Sequence, residues 1–461
     1  MSEALVLKNA LLLPVAGERA WMHGWMAVDS EGMITGIGEA GPPPEMAVDA
    51  EVLDVGGAIV APGFVSAHSH IYTCGMRGVA ANSTLYPWVT RNTEMLLAAE
   101  AEDLYWLTVA GSLDFLSNGV TSTYNFTQSR VLALFDNGTS SLKTAAIRPV
   151  EFVTRQVDGT RDAGIRFVTS VRIDDEQLPE DEALSSFGNV MAHMTDTVPT
   201  ALNLGGSVYG AVQWSASPAT AERERAMMTQ HSVTNQAHFV ETAEQLDIQQ
   251  AKFAWYDDAG VLGPDFTFGH FVHPTERMVE RAIRTDCAMV WQPMSNGRLG
   301  SGIADVPRLL RAGMRVGIGL DDQSCTDVSD PFENMRTGLY TQRATHSDAA
   351  VLTPEDMLRL HTLDSAASIG VADRVGSLEV GKYADFVIVH PFEPDTGPVW
   401  DPVATYVLAC SLRNLAAVYV GGRCVSVRGK STNSLADQSK DEMHQRMVKV
   451  AGVGGFVPVV P

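Results

Sequence analysis

The stretch Pro62-Gly63-Phe64-Val65-Ser66-Ala67-His68-Ser69-His70 joins a short apolar strand pattern to two histidines. On a β-strand, residues i and i+2 face the same side, so His68 and His70 are expected to present their imidazoles to one point. Two imidazoles placed in this way can chelate a divalent cation. A lone His-x-His pair is weak evidence for a metal, and its position at the end of a strand strengthens it. The stretch therefore predicts a strand that carries part of a metal site.

The middle of the chain alternates short β-branched runs with longer segments of helical spacing, such as 243–259 and 276–284. This alternation is typical of βα units around a parallel sheet. The eight predicted strands are 59–66, 120–123, 165–171, 201–208, 234–239, 266–271, 288–292 and 316–320. Eight βα units predict an α/β fold, a (β/α)8 TIM-like barrel, whose reactive groups lie at the C-terminal ends of the strands.

The two ends of the chain differ from its middle. Residues 1–58 and 375–430 consist of short alternating segments with glycine punctuation and little helical spacing. They predict a small discontinuous β-sandwich domain, with residues 59–374 forming the catalytic barrel. Residues 431–461 are expected to form a C-terminal tail with one helix, from Asp437 to Val450.

Two further histidine clusters follow predicted strands. His238 ends the fifth strand and Glu241 follows three residues later, so that His238 is a candidate third ligand and Glu241 a carboxylate just outside the metal. A carboxylate at a helix start beside a structural histidine is the alternative. His270 and His273 close the sixth strand and would face opposite ways unless the strand ends between them. One of these two is expected to be functional and the other structural.

A fourth cluster, Asp321 and Asp322, ends the apolar eighth strand. A buried aspartate needs a cation or hydrogen-bond donors to offset its desolvation, although a helix cap would explain Asp321 equally well on its own. The four clusters follow strands one, five, six and eight in order. Their conjunction predicts one site at the C-terminal end of the barrel.

Composition narrows the class of protein. The chain has 461 residues and a net charge of −22, which disfavours nucleic acid and anionic membrane surfaces as partners. The five cysteines include no Cys-x-x-Cys pair, and no apolar run approaches the roughly 18 residues that span a bilayer. These features predict a cytoplasmic protein that acts on a small molecule.

The four clusters, together with further motifs, make the sequence resemble the amidohydrolase superfamily over nearly its whole length. Within the superfamily it resembles the subgroup of cyclic-amine deaminases and triazine hydrolases. The further motifs are Met76-Arg77-Gly78, Leu85-Tyr86-Pro87-Trp88, the stretch 117–123, Ser295-Asn296, the stretch 299–302 and the stretch 376–385. Relatives commonly form dimers, so a homodimer is expected.

The resemblance implies one divalent cation per subunit, held by His68, His70, His238 and Asp321. Zn2+ or Co2+ is expected, with Fe2+ and Mn2+ left open. Residues 202–212 contain no lysine for the carbamate that bridges two metals in other members, which favours a single ion.

The resemblance also implies the chemistry. A metal-activated water attacks an electron-poor trigonal carbon. Asp321 takes a proton from that water, Glu241 passes a proton to the leaving group, and His270 stabilises the developing charge.

Two departures from the subgroup bear on the substrate. Where many deaminases have Pro-His-x-Pro-Tyr after the fourth strand, this chain has Tyr209-Gly210-Ala211-Val212-Gln213-Trp214. Where they have His-Asn-Pro after the seventh strand, this chain has Trp291-Gln292-Pro293. The changes predict a more apolar substrate, contacted by Trp88, Trp291 and Asn296. Ordinary packing of the two tryptophans is the alternative.

This pocket resembles the branch that hydrolyses phenylureas and the thiocarbamate molinate. We therefore expect cleavage of a urea, carbamate or thiocarbamate bond in a small apolar molecule such as a herbicide. One alternative is a deaminase or dechlorinase of a triazine, purine or pyrimidine. A second is a catalytically silent barrel that serves as a binding scaffold, which the complete ligand set disfavours.

Three other residues are expected to lie outside the chemistry. Cys74 is expected to be a small packing residue, because nothing nearby in the sequence lowers its pKa. His361 lies on a helical pattern and is expected to be structural. Asp322 is expected to be a solvated or capping carboxylate.

Overall fold

The computed structural model describes residues 4–43, 49–136, 141–456 and 459. This part of the chain contains two nine-stranded sheets and one hairpin. The strands are β1 (Ala4–Leu12), β2 (Met22–Val28), β3 (Ile34–Glu39), β4 (Ala50–Asp54), β5 (Ile59–Pro62), β6 (Phe64–His70), β7 (Val120–Phe126), β8 (Val131–Asp136), β9 (Ser141–Ile147), β10 (Arg166–Val171), β11 (Asn203–Gly210), β12 (Thr234–Phe239), β13 (Phe266–His270), β14 (Ala288–Trp291), β15 (Arg315–Ile318), β16 (Asp321–Asp322), β17 (Phe386–Val389), β18 (Leu415–Val420), β19 (Arg423–Val427) and β20 (Lys430–Ser431). The helices are α1 (Leu85–Leu96), α2 (Ala101–Ser117), α3 (Glu151–Ala163), α4 (Glu180–Thr197), α5 (Ala219–His231), α6 (Leu246–Ala251), α7 (Phe253–Asp258), α8 (Glu276–Arg284), α9 (Pro293–Arg298), α10 (Val306–Arg311), α11 (Pro331–His346), α12 (Pro354–Leu360), α13 (Leu363–Ser368), α14 (Pro402–Ala404) and α15 (Ala436–Val453).

The parallel sheet has the order β15-β14-β13-β12-β11-β10-β7-β6-β16. β15 corresponds to the predicted eighth strand, 316–320, and β16 follows two residues after it, so the sheet begins and ends in neighbouring segments of the chain. Curling back in this way is the arrangement of a TIM-like barrel, as the sequence predicts. Every residue of β6 and β7 is buried, because helices cover the outer face of a parallel sheet while side chains fill its interior.

Gly319 lies between β15 and β16. A Cβ atom added to Gly319 would lie 2.7 Å from the Cβ atom of His68, so a larger residue would push the first strand away. The Gly319 amide donates to the carbonyl oxygen of Trp291 at 3.0 Å, and the Leu320 amide donates to Ser66 Oγ at 2.9 Å. The chain thus bonds to the seventh strand and then to the first, which places Asp321 beside Ser69.

The predicted first strand, 59–66, is wrong in one respect, because it is two strands that belong to different sheets. β5 pairs with β1 and β17 in the second sheet, whereas β6 belongs to the barrel. The chain changes sheets at Gly63, where an added Cβ atom would overlap the side chain of Thr121. Both pieces are apolar, so the hydrophobic pattern contains no sign of the break.

The second sheet joins the two ends of the chain, in the order β20-β19-β18-β17-β5-β1-β2-β3 with β4 beside β1. The junction is the antiparallel pair of β5 and β17, in which Pro62 lies opposite Phe386. Apolar side chains from both ends form its core. Hydrogen bonding joins these strands into one sheet. That the two ends form a β-sandwich domain, with limits at residues 58 and 375, stays a prediction.

Two elements outside the sheets support the mouth of the barrel. The hairpin of β8 and β9 follows β7 and packs on α1. The C-terminal helix, predicted from Asp437 to Val450, is α15, which packs on α1 and α2 and pairs Arg446 Nη1 with Asp103 Oδ1 at 2.7 Å. Residues 457–458 and 460–461 of the predicted tail lie outside the described residues. None of the helices in the described part combines the length and apolar character needed to cross a bilayer.

Candidate metal centre and active site

Three histidines meet at the C-terminal ends of the first and fifth barrel strands. His68 and His70 lie on β6, and His238 lies on β12. The Nε2 atom of His238 is 3.1 Å from that of His68 and 3.1 Å from that of His70, and the latter two atoms are 3.4 Å apart. All three side chains are buried. Strand alternation and the curl of the sheet therefore bring the predicted imidazoles to one point.

Asp321 joins this group from the eighth strand. Its Oδ1 atom is 3.3 Å from His68 Nε2 and 3.8 Å from His70 Nε2. One ligand atom from each of the four residues lies within 4.8 Å of the others. Asp321 has a φ of +64°, a conformation that costs a non-glycine residue about 1–3 kcal/mol. Ser295 Oγ donates to Asp321 Oδ2, which leaves Oδ1 facing the imidazoles.

The donor set fits a divalent cation. His68 Nδ1 lies 2.5 Å from Gln236 Oε1, and Gln236 Nε2 donates to the carbonyl oxygen of Ala67 at 3.0 Å. Because the second bond fixes the amide, Gln236 Oε1 accepts a hydrogen bond from His68 Nδ1, and His68 Nε2 presents a lone pair to the other imidazoles. Lone pairs and a carboxylate that converge at a buried point repel one another unless a cation lies between them.

The ionisation of the histidines agrees with this fit. Burial, reinforced by the neighbouring His68, lowers the pKa of His70 to about 3. Burial and the same neighbour also hold the pKa of His238 well below its ordinary value. Both rings are therefore neutral near pH 7, which is the form that binds a metal.

Glu241 and His270 lie beside the four ligands. His270 Nε2 is 3.5 Å from Glu241 Oε2 and 3.8 Å from Asp321 Oδ2. β13 ends at His270, and the positive φ values of His270 (+67°) and Phe271 (+48°) turn the chain there. Neither His270 Nε2 nor Glu241 Oε2 has a hydrogen-bond partner within the described part of the chain. Both atoms are thus available to a reacting molecule.

The pKa values of the two buried carboxyl groups, Glu241 and Asp321, are shifted in opposite directions. Burial raises the pKa of Glu241 well above its usual range, and the nearby charge of Asp321 adds to the effect. Burial by itself would also raise the pKa of Asp321, but the imidazoles of His270 and His68 hold it well below its usual range. The surroundings of Asp321 therefore favour its carboxylate form, whereas those of Glu241 favour its protonated form.

Three residues singled out in the sequence lie outside this centre. His273 Nε2 bonds to the carbonyl oxygen of Ser301 at 2.6 Å, so His273 is the structural member of its pair. His361 is buried between Asn334 and the carbonyl oxygen of Val65, at 3.3 Å from each. Burial raises the pKa of the Cys74 thiol to about 12, which fits a packing role.

The prediction that Asp322 is a solvated or capping carboxylate is wrong. Its side chain is buried and lines the cavity, with Oδ2 at 3.7 Å from His70 Nε2. Burial and the adjacent charge of Asp321 raise its pKa well above the ordinary value. The side chains of Asp321 and Asp322 do not alternate as on a regular strand, because Asp321 has a positive φ of +64°.

The three residues predicted to contact substrate take different positions. Trp88, on α1, lines the cavity. Trp291 is absent from the cavity lining within the described residues. A Cβ atom added to Gly338 of α11 would lie 2.7 Å from Trp291 Cη2, so the indole of Trp291 packs against the helical layer. Asn296 also lies behind the lining, with Nδ2 at 2.9 Å from His270 Nδ1. Trp88 thus lies in the lining while Trp291 and Asn296 lie behind it, and contact of the three residues with substrate stays a prediction.

Sequence reasoning missed Gln236, Ser295 and the hairpin. Gln236 precedes His238 by two residues on one strand, so alternation alone puts both side chains on one face. The run 131–136 is separated from the run 141–147 by a segment that contains Asn137-Gly138, a known hairpin signal. Ser295 lies on α9, and its contact with Asp321 depends on how that helix packs.

The reacting groups lie at the base of a cavity that opens to solvent, with about 930 Å3 of empty space when the solvent at its mouth is included. Its walls come from α1, the β8–β9 hairpin and the segments that follow β7, β10 and β11. Its floor includes His70, His238, Glu241, His270 and Asp321. A small organic molecule fits a cavity of this size.

A metal-binding group and an acid–base pair at the C-terminal end of a TIM-like barrel define a metal-dependent hydrolase. Residues 59–425 match the model of the amidohydrolase family, and the chain belongs to this family. The protein is therefore a hydrolase that acts on carbon–nitrogen bonds, which excludes the silent scaffold.

Curated relatives include a 5-methylthioadenosine/S-adenosylhomocysteine deaminase of Desulforudis audaxviator (strain MP104C), which is 27% identical over 94% of this chain and 96% of its own length. An S-triazine hydrolase of Gordonia rubripertincta is 37% identical over 166 residues, or 36% of this chain and 35% of its own length.

Solved structures agree on the fold. An adenosine deaminase from Xanthomonas campestris with bound zinc has a TM-score of 0.82 at 22% identity, over 97% of this chain and 98% of its own. Atrazine chlorohydrolase from Arthrobacter aurescens TC1, complexed with zinc, has a TM-score of 0.82 at 16% identity, over 96% and 100% of the two chains.

Proposed function

We propose that the protein is a zinc-dependent deaminase that removes an amino group from a nitrogen heterocycle. The observation that carries the proposal is the position of Glu241, because an amine is a poor leaving group and needs a proton donor beside the attacked carbon. Glu241 Oε2 lies 3.5 Å from His270 Nε2 and has no hydrogen-bond partner within the described residues. The choice of a heterocycle over a urea or thiocarbamate rests on the relatives. The similarity to a 5-methylthioadenosine/S-adenosylhomocysteine deaminase along nearly the full chain supports a heterocyclic substrate. The shorter similarity to an S-triazine hydrolase supports the same class.

His68, His70, His238 and Asp321 would hold the cation, which when bound acts as a Lewis acid and lowers the pKa of water. Asp321 accepts a proton from the attacking water. The oxygen of that water bonds to the ring carbon, the carbon–nitrogen bond breaks, and Glu241 donates the proton with which the amino group leaves as ammonia. The proton on Asp321 then returns to Glu241. His270 Nε2, next to Glu241, stabilises negative charge on the ring during the attack.

Cleavage of a urea, carbamate or thiocarbamate is the second candidate. The same acid and base would serve it, since an amine or thiol also leaves with a proton. The feature that favours it is the share of apolar side chains from α1 and the hairpin in the cavity wall, including Leu85, Val89 and Leu142.

The test is product identification by mass spectrometry on zinc-loaded enzyme. The panel contains adenosine, melamine, a chlorotriazine, a phenylurea and a thiocarbamate. Release of ammonia from a ring, lost in Glu241→Gln and kept in Glu222→Gln, would support the proposal; Glu222 is an exposed residue of α5. Release of an amine or thiol from the last two compounds, without ammonia from the rings, would establish the second candidate instead.

A further inference from the structure

One side of the cavity is a continuous apolar surface, which we call the apolar wall. Its residues are Leu85, Trp88, Val89, Leu142, Trp214 and Leu299. They come from α1, the hairpin, the segment after β11 and the segment after α9, and they pack together as one hydrophobic cluster. A hydrophobic cluster is normally covered by other parts of the protein, whereas one side of this cluster faces the space above the reacting groups.

The polar atoms of Trp88 and Asn92, on the α1 side of the apolar wall, are already satisfied. Trp88 Nε1 donates to the carbonyl oxygen of Ser324 at 3.2 Å. Asn92 Nδ2 donates to the carbonyl oxygen of Trp88 at 2.9 Å, and Asn92 Oδ1 accepts from Ser324 Oγ at 3.0 Å. A hydroxyl or charged group placed against the α1 side of the wall would lose its water without gaining a partner there, which penalises polar ligands.

The hairpin side of the apolar wall is fixed from behind by aromatic contacts. The ring of Phe135 stacks on that of Tyr86 with centroids 4.2 Å apart, and both rings meet Trp214 edge-on at 5.7 Å and 5.5 Å. Gln249 Nε2 donates to the hydroxyl of Tyr86 at 3.2 Å. The surface is therefore formed before a ligand arrives, so binding does not have to order it.

A buried lysine holds Trp214 in the same wall. Lys252 Nζ donates to the carbonyl oxygens of Gln213 and Ser215, at 2.9 Å and 2.6 Å. These two residues flank Trp214, so one ammonium group fixes the backbone on both sides of the indole. The position of Trp214 is thus set by the protein interior and not by contact with substrate.

We infer that the apolar wall is a subsite for an uncharged apolar substituent, an alkyl or aryl group carried by the heterocycle that is deaminated. The inference rests on the proposed function for the identity of the ring, but the wall would select the same substituent on a urea or thiocarbamate. Leu142 and Ala133, which the hairpin places in the lining, determine this selectivity. A heterocycle with a polar substituent of similar size is expected to be a poorer substrate.

The test compares matched substrates that all release ammonia. They are melamine, N-isopropylmelamine and N-(2-hydroxyethyl)melamine, together with adenine carrying butyl or 2-hydroxyethyl at N9. In the wild type we expect kcat/KM for the alkyl compound to exceed that for its hydroxyethyl partner by about 10-fold or more. In Leu142→Asn this ratio is expected to fall close to one.

Two further variants separate selectivity from damage to the hairpin. Leu134→Asn makes the same change on β8, at a residue outside the described lining, and should keep the wild-type ratio. Ala133→Leu fills part of the subsite and should lower kcat/KM more for N-isopropylmelamine than for melamine. A Leu142→Asn protein that keeps the alkyl preference, or a wild type without one, would overturn the inference.

A binding measurement distinguishes failure of the subsite from failure of the proposed function. Calorimetric titration of zinc-loaded Glu241→Gln with the same compounds gives their dissociation constants without turnover. Tighter binding of the alkyl compounds, lost in Glu241→Gln/Leu142→Asn, would support the subsite even if no ring releases ammonia. Equal binding of alkyl and hydroxyethyl compounds would refute the subsite even if deamination is observed.

Discussion

Asn296 Nδ2 lies 2.9 Å from Nδ1 of His270, and both side chains are buried. An amide NH2 group donates to Nδ1, so the ring proton of neutral His270 is on Nε2. That atom is the one that faces Glu241 and Asp321. Asn296 therefore makes His270 a hydrogen-bond donor toward the reacting centre, and this explains its place behind the cavity wall.

Asn296→Ala should lower kcat by about 10- to 100-fold with little change in KM, because His270 loses the bond that sets its tautomer. Asn296→Asp should not restore the rate, since a carboxylate accepts from Nδ1 and draws the proton away from Nε2. Steady-state kinetics and zinc content of both variants check this. Wild-type kcat in Asn296→Asp would show that Asn296 only fills space.

His238→Ala should abolish tight zinc binding, because His238 Nε2 is 3.1 Å from each of the other two imidazole nitrogens in the group. The measurement is zinc content by mass spectrometry, after dialysis against a weak chelator. His273→Ala is the matched control, since His273 bonds to Ser301 and should leave the zinc content unchanged. Retention of one zinc per chain in His238→Ala would remove this residue from the metal site.

Asp385→Ala should destabilise the protein by about 3–5 kcal/mol, because it leaves the buried Arg166 without its partner. Arg166 Nε donates to Asp385 Oδ2 at 2.7 Å, and Arg166 Nη2 donates to Oδ1 at 2.9 Å. The pair ties β10 of the barrel to the strands of the second sheet. Urea unfolding measures the loss, with Asp286→Ala as a control for an exposed ion pair, whose expected cost is about 1 kcal/mol or less. Equal costs in the two variants would contradict the assignment.

Stability should depend on pH through Glu224, a buried residue of α5. Burial raises the pKa of Glu224 to about 7, although its carboxyl group accepts from the Ala211 amide and from Asn235 Nδ2. Between pH 4.5 and 7 the folded state keeps a proton that the unfolded state has lost. The free energy of unfolding therefore falls as pH rises through this window, by up to about 3 kcal/mol.

Glu224→Gln removes this ionisation. Its amide can donate to Asn235 Oδ1, an atom without a partner within the described part of the chain, once the Asn235 side chain turns over. Urea unfolding from pH 4 to pH 8 should show a flatter profile than the wild type and a more stable protein above pH 7. Glu222→Gln, on the exposed side of the same helix, should follow the wild type. Parallel profiles for Glu224→Gln and wild type would refute the assignment.

The sequence predicted most of the fold and the metal group because both follow from local regularities. Strand alternation places His68 and His70 on one face, and eight strand–helix units place the ends of the strands at one mouth. The sequence prediction failed where an apolar run changes partners, as at Gly63, since buried strands of either sheet have the same pattern. It left the packing of Trp291 open for a related reason, because strand alternation does not say whether an indole faces the cavity or the helical layer.

The sequence by itself determined the class of this protein, because His68, His70, His238 and Asp321 each lie at or just beyond the C-terminal end of a recognisable strand. Only the tertiary structure shows that the pKa of Glu241 is raised, since the shift comes from burial of Glu241 beside Asp321. It also decided the shape of the cavity, because the β8–β9 hairpin contacts α1 and Trp214 across large separations in sequence. Residue type and strand spacing are enough to identify the metal-binding side chains. The proton affinity of a carboxyl group and the shape of the cavity depend instead on which groups the packing buries away from water.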